Sequence, residues 1–255
     1  MNQLEGFMAL KHLLEQQEFT NSYVIPYFKK HLPAFEKMNI LEIGCAEGGL
    51  LAVLDEMGMR VTGLEIEASR VEIAKKNNDK LKIFVGDITD HQISRTIADT
   101  FDLIIMRDTI EHIPDRDSTF ANLSKLLNPG GYVYVTFPPR FSGFAGHQQN
   151  AKSILRVIPF LLLLPAFIIR GLGNLFSENQ KLIDHVIQNY HDGLSIRKFS
   201  SFYKRFDFTP VVRDHFLFRP VYQVRFKIKP RRFPNVPLLR EFFAFGCEYL
   251  LQKKD

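Results

Sequence analysis

Apolar and polar positions switch between two rhythms from residue 38 to residue 137, and that switching predicts the fold class. Apolar runs of strand length fall at 38–42, 60–66, 81–85, 101–106 and 132–137, while 50–54, 67–78 and 118–127 carry apolar residues at helical spacing. Strand and helix in alternation argue an α/β fold, a doubly wound, mostly parallel sheet with helices on both faces. Ahead of it, residues 1–36 show helical spacing at Leu10, Leu13 and Leu14 and again at Tyr23, Val24, Tyr27 and Phe28, until Pro33 stops the pattern. Past Pro139 the alternation breaks. Residues 140–192 read as an insertion after the fifth strand, 196–206 as a helix and 210–218 as a sixth strand. A seventh is expected at 221–229, where Val224, Phe226 and Ile228 alternate with Gln223, Arg225 and Lys227, and a terminal helix at 238–252.

The first strand runs into a turn carrying Gly44, Gly48 and Gly49 before the helix that starts near Leu50. Glycines there let the backbone approach a ligand that a Cβ would push away, and the helix start presents free N–H groups, so the ligand is expected to be nucleotide-like. Two cofactors compete. Gly44, Ala46 and Gly49 match the dinucleotide pattern Gly-x-Gly-x-x-Gly except at its middle position, with Glu65 placed as a ribose partner. Against a nicotinamide-dependent oxidoreductase, Glu42 and Glu47 set carboxylates where a pyrophosphate would be repelled. A cationic sulfonium compound with a free amino group would instead favour Glu42.

Leu41-Glu42-Ile43-Gly44-Cys45-Ala46-Glu47-Gly48 resembles motif I of the class I S-adenosylmethionine-dependent methyltransferases, with Ala46 in place of a glycine, and Leu126-Leu127-Asn128-Pro129-Gly130-Gly131 resembles that family's turn before the fifth strand. The likeness covers most of the chain. It implies a seven-stranded Rossmann-like sheet under an N-terminal helical lid (1–36), a cofactor-binding core (38–139), a hydrophobic acceptor-side insertion (140–192) and the closing elements (193–255) as one domain. It assigns S-adenosylmethionine to Glu42, Gly44, Ala46, Gly48, Glu65, Asp87, Ile88 and Arg107: Glu65 to the ribose hydroxyls, Asp87 to the adenine amino group and Ile88 to the ring. Asp87 also reads as a turn residue after Gly86.

Asp108-Thr109-Ile110-Glu111-His112 follows the fourth strand, and at helical spacing Asp108, Glu111 and His112 share a face. The run resembles the Glu-x-x-Glu-His of ubiquinone-biosynthesis O-methyltransferases and small-RNA 2′-O-methyltransferases. Two implications stay open: a divalent metal on Asp108, Glu111, His112 and His147 that polarises the accepting hydroxyl, or a metal-free pair that orients its neighbours. His147, in the loop leaving the fifth strand, and His112 are the candidate general bases. Methyl transfer is an in-line displacement, so alignment and deprotonation are nearly all the protein must supply.

Composition refines the partners. A net charge of +5 and no recognisable RNA module set nucleic acid aside. The charge is uneven, with 14 Lys and Arg against 5 Asp and Glu over 196–255. Residues 157–169 form a run of 13 uncharged positions interrupted by Pro159 and Pro165, short of the roughly 20 that span a bilayer. With Arg156 and Arg170 beside it, 154–176 reads as a packing surface, an acceptor pocket or a peripheral membrane contact. Cys45 and Cys247 suit a reducing compartment, and the charged N-terminus is no signal peptide, so a cytoplasmic protein, in places on the inner face of the membrane, is expected. The expected activity is O-methylation of a hydrophobic or lipid-linked small molecule or glycan. The rivals are an NAD-dependent oxidoreductase and a catalytically silent, cofactor-binding membrane-surface module.

Overall fold

In the strand Asn39–Ile43 (β1) every residue after the first is buried, because helices cover both sides of it. The computed structural model describes residues 3–144, 148 and 151–254. Leu41 and Ile43 face one side, packed with Phe120 and Phe199, while Ile40 faces the other, packed with Phe28 and Leu50. A strand covered on both faces can be apolar throughout, which is why these runs lack strict alternation.

β2 (Arg60–Glu65), β3 (Lys82–Val85), β4 (Phe101–Arg107) and β5 (Leu127–Phe137) join β1 as a parallel sheet in the order β3-β2-β1-β4-β5. Helices α3 (Gly49–Glu56), α4 (Ala68–Asn77), α5 (Ile93–Ile97) and α6 (Arg116–Leu126) make the crossovers. Chain direction across the sheet reverses between β1 and β4, the place where open α/β sheets bind ligands.

Beyond β5 the sheet differs from the seven-stranded expectation: among the described residues it has eight strands, and β8 (Gly246–Lys253), β6 (Phe208–Phe218) and β7 (Arg231–Arg232) follow β5 in that order. β6 (Phe208–Phe218) lies where a strand was expected, but the pattern at 221–229 forms α10 (Val221–Phe226) instead. Pro220 presets the helical entry there, and the alternating residues have no sheet to face, since Phe226 is 63% exposed. The expected terminal helix is also absent as such. A short α11 (Leu239–Phe243) precedes β8 (Gly246–Lys253), which inserts antiparallel between β5 and β6. β8 is buried on both faces from Gly246 to Leu251, so its run shows no period of two. β7 is the two-residue Arg231–Arg232.

The N-terminal α1 (Gln3–Phe19) passes through a π-helical turn, Thr20–Val24, into α2 (Ile25–His31). Pro26 has no N–H to return to a carbonyl, which favours the wider turn just before it. The 140–192 region contains α7 (Ala166–Leu175) and α8 (Gln180–Asp192), and α9 (Ile196–Arg205) follows.

Candidate active site

The carboxyl ends of β1, β2 and β4 open onto a cavity of about 720 Å³ that extends to β5, β6 and β8. The loop after β1 is shaped for close approach: Gly44 has φ +72°, and a Cβ there would meet Thr109 Oγ1 at 2.5 Å. Ala46 holds φ +52°, a conformation that L-residues avoid. Its N–H donates to Glu65 Oε2 at 2.8 Å, and Glu67 N–H donates to Glu65 Oε1 at 3.0 Å. Two backbone amides therefore fix the Glu65 carboxylate at the end of β2, with lone pairs left for further donors.

Gly48 caps α3 from φ +76° and is not among the residues lining the cavity. Gly49 N–H, the first of that helix, donates to Gln16 Oε1 of α1 at 2.9 Å. Glu47 turns toward His12 and Arg70 at 2.5 and 3.2 Å. Against the burial that pushes it up, those two groups hold its carboxyl below the ordinary value. The amides a pyrophosphate would need at Ala46, Gly48 and Gly49 already have acceptors in Glu65, Cys45 O and Gln16. Carboxylates crowd the same loop, which removes the physical basis for a dinucleotide.

Glu42 is buried and accepts from Arg107, NH2 at 2.8 Å and Nε at 3.2 Å. Burial pushes its carboxyl up, opposed by the Arg107 guanidinium. Among the described residues its Oε2 has no hydrogen-bond partner. An orphaned buried carboxylate oxygen in a cavity-lining residue fits a ligand that brings an N–H donor, so the residues present fit S-adenosylmethionine. Asp87 lines the same cavity and accepts from Thr89 N–H at 2.8 Å, with the buried Ile88 beside it. Glu42, Gly44, Ala46, Glu65, Asp87, Ile88 and Arg107 thus border one hollow.

The segment after β4 departs from the helical turn the spacing predicts. Asp108 takes φ +51°, and only Ile110–His112 coils, as a 3-10 turn. Asp108 and His112 consequently line the cavity, whereas Glu111 is buried outside it with Oε2 unpartnered. Burial and the neighbouring Asp108 charge push Glu111 well up. Asp108 is paired with Arg219, which holds its carboxyl below the ordinary value although burial opposes this. Among the described residues no three His, Cys, Asp or Glu side chains converge as metal ligands. Asp108 has a guanidinium where the expected metal set needs an ion, and Glu111 lies outside the cavity. His147 lies outside the described residues.

Sequence reasoning missed Glu248, which lines the cavity from β8 and is 2% exposed. Tyr23 Oη donates to it at 2.7 Å, and Tyr134 Oη donates to its other oxygen. Burial raises its carboxyl to about 7, opposed by the two tyrosine hydroxyls. The available signal was a lone carboxylate inside the apolar run Cys247-Glu248-Tyr249-Leu250-Leu251.

A parallel sheet reversing at a carboxylate-lined, glycine-bearing loop defines a Rossmann-like enzyme of the class I methyltransferase type. The comparisons agree. A family profile described as a methyltransferase domain matches residues 13–201. A ubiquinone biosynthesis O-methyltransferase of Nitrosococcus oceani is 29% identical over 62% of this chain and 71% of its own. One of Vibrio atlanticus is 29% identical over 47% of this chain, which spans about half (52%) of that relative's length. Among solved structures, an S-adenosylmethionine-dependent methyltransferase from Clostridium acetobutylicum superposes with TM-score 0.60 at 12% identity, covering 94% of this chain and 92% of its own. Magnesium protoporphyrin IX methyltransferase from Synechocystis, solved with bound S-adenosylhomocysteine, gives TM-score 0.52 at 13% identity, covering 94% and 83%. The chain belongs to the methyltransferase-domain family and has the fold of S-adenosylmethionine-dependent methyltransferases.

Proposed function

We propose that the enzyme methylates a hydroxyl group on a hydrophobic or lipid-linked small molecule. The observation that carries this reading is that one cavity joins two chemically different ends. In the order of the sheet, Glu42, Glu65 and Asp87 line it from the β1, β2 and β3 side, and the rings of Tyr134 and Phe216, with Tyr23 bonded to Glu248, line it from the β5, β6 and β8 side. Its volume, about 720 Å³, lies in the upper part of the roughly 300–1,000 Å³ range of small-molecule sites. The relatives' being ubiquinone biosynthesis O-methyltransferases supports oxygen as the methylated atom.

In this reading Glu42 Oε2 accepts from the cofactor's amino group, Glu65 from its ribose hydroxyls and Asp87 from its adenine, with Ile88 against the ring and the Gly44–Ala46 backbone alongside. When bound, S-adenosylmethionine supplies an electrophilic methyl group on a positively charged sulfur. The protein then has to exclude water, align the hydroxyl and receive its proton.

A membrane surface as the source of the acceptor is supported by the exposed side of the insertion. Phe167 is 76% and Leu175 74% exposed on α7, with Ile154, Val157 and Leu163 exposed nearby in sequence. Arg156 and Arg170 accompany them, and the Phe160 ring meets that of Phe243 at 6.2 Å. That contact joins the insertion to the segment holding the exposed Lys227, Lys229, Arg231 and Arg232. Apolar side chains flanked by cations complement anionic lipid. Among the described residues no helix is long and apolar enough to cross a membrane.

The test is transfer of labelled methyl from S-adenosylmethionine into lipid and polar fractions of a cell extract. Label in an O-methyl product of the lipid fraction is the expected result. Label confined to amines or to polar macromolecules overturns the reading.

A further inference from the structure

The geometry points to Glu248 as the residue that takes the proton from the hydroxyl being methylated, held in place by Tyr23 and Tyr134. This rests on the O-methylation reading and adds the base, a role the sequence had left to His147 or His112.

Three elements distant in sequence build this group. Tyr23 comes from the π-helical turn, Tyr134 from β5 and Glu248 from β8. Each tyrosine donates to a different carboxylate oxygen, so the side chain is oriented while each oxygen keeps a lone pair for another donor. Across the β5–β8 ladder Glu248 stands directly opposite Thr136. The Thr136 hydroxyl donates to Asp108 at 3.2 Å. Glu248 therefore lies one strand away from the Asp108 corner of the cavity. Four strand intervals separate it from Glu65 in the order β2-β1-β4-β5-β8, about 19 Å at ~4.8 Å each. That is on the acceptor side of any ligand seated on the β1 and β2 loops.

Asp108 and Glu248, the carboxylates on this side of the cavity, divide the labour. Asp108 is neutralised by Arg219 and held acidic, which makes it a poor base. Among the described residues no cation is bonded to Glu248, and its proton affinity matches a base working near neutrality. The groups around it are Tyr23 from the π turn, Tyr27 from α2, Tyr134 from β5, Asp214 from β6 and Arg232 from β7. The Asp214 charge raises its proton affinity and Arg232 lowers it.

The step balances with nothing added. A Glu248 oxygen takes the hydroxyl proton as the acceptor oxygen bonds to the methyl carbon. The carbon–sulfur pair leaves with sulfur, giving a neutral thioether, a methyl ether and a protonated Glu248.

Two readouts test the role. The carboxyl ¹³C titration of glutamate-labelled protein, assigned by comparison with Glu248→Gln, is expected to place Glu248 near neutrality. In the lipid-fraction assay Glu248→Gln is expected to lose at least 100-fold in kcat while binding S-adenosylhomocysteine within threefold of the unmodified protein. Tyr23→Phe keeps the carboxylate but removes one donor, so it should move the acid limb of the pH profile upward, a shift that a packing defect would not cause. An ordinary Glu248 ionisation below about pH 5, or full turnover in Glu248→Gln with an unchanged profile, overturns the inference. If the unmodified protein methylates no hydroxyl at all, the O-methylation reading fails and the titration alone decides Glu248.

Discussion

The backbone N–H of Ala46 donates to Glu65 Oε2 at 2.8 Å, so the loop after β1 and the end of β2 are joined by a buried bond between residues 19 apart. The same carboxylate accepts from Glu67 N–H. Glu65→Ala leaves both amides without their acceptor, a loss of roughly 2–4 kcal/mol. Denaturant unfolding should register that loss, and calorimetric titration with S-adenosylhomocysteine should show affinity falling at least tenfold. Unchanged affinity in a folded Glu65→Ala would remove Glu65 from the ribose role.

Ala46 itself is strained at φ +52°. The left-handed conformation costs an L-residue about 1–2 kcal/mol, and glycine there gives back about 0.5–1 kcal/mol in unfolded-chain entropy. Ala46→Gly is therefore expected to stabilise the protein by about 0.5–1 kcal/mol, read from the midpoint of urea unfolding. A destabilised variant would mean that the Cβ makes contacts worth more than the strain.

Arg107 is the cation that neutralises the buried Glu42. Arg107→Met leaves that carboxylate unpaired, at a cost of about 3–5 kcal/mol. Burial already raises Glu42, and losing Arg107 raises it further, so the folded state retains a proton that the unfolded chain has released. Stability lost this way grows with pH. Unfolding measured at pH 5 and pH 8 should show the smaller deficit at pH 5.

The core of the fold was legible because each strand from Asn39 to Phe137 carries a short apolar run punctuated by glycine, proline or a helix with its own period, although β5 itself begins earlier than its run, at Leu127. That Glu42, Gly44 and Glu65 would border one hollow was legible for the same reason, since they follow one another within a single βαβ unit. The helix at 196–205 and the strand at 208–218 were legible too, but the chain after Phe218 was not. β8 is enclosed between β5 and β6 and packed on both faces, so nothing in its sequence alternates, while α10 alternates by accident and faces solvent. Asp108 misled because its left-handed backbone breaks the helical turn that its spacing to Glu111 and His112 suggests. Glu248 became visible only when Tyr23, 225 residues away, was seen to bond it.

The insertion offers a surface test. Phe167 and Leu175 are 76% and 74% exposed, so exchanging both for Ser leaves folding stability within about 0.5 kcal/mol. Burying such a side chain in an interface is worth up to roughly 1.5–3 kcal/mol. Co-sedimentation with anionic phospholipid vesicles should therefore fall at least tenfold in the double variant and weaken with salt in the unmodified protein. Equal sedimentation of the two proteins would exclude a membrane role for α7.

Glu248 makes folding pH-dependent in a direction opposite to most carboxylates. Its folded value of about 7 exceeds the ordinary glutamate value of about 4.3. Between the two the folded state holds a proton that the unfolded chain has lost, and stability falls as pH rises through that window. The full difference corresponds to roughly 4 kcal/mol, present below about pH 4 and gone above about pH 7. Glu248→Gln has no proton to release, so its stability relative to the unmodified protein should improve from pH 5 to about pH 7 and level off above it, even as its turnover collapses. Urea unfolding across that range measures the slope. Parallel curves for the two proteins would show that Glu248 ionises as an ordinary carboxylate, and would leave the buried tyrosine pair with an orienting role alone.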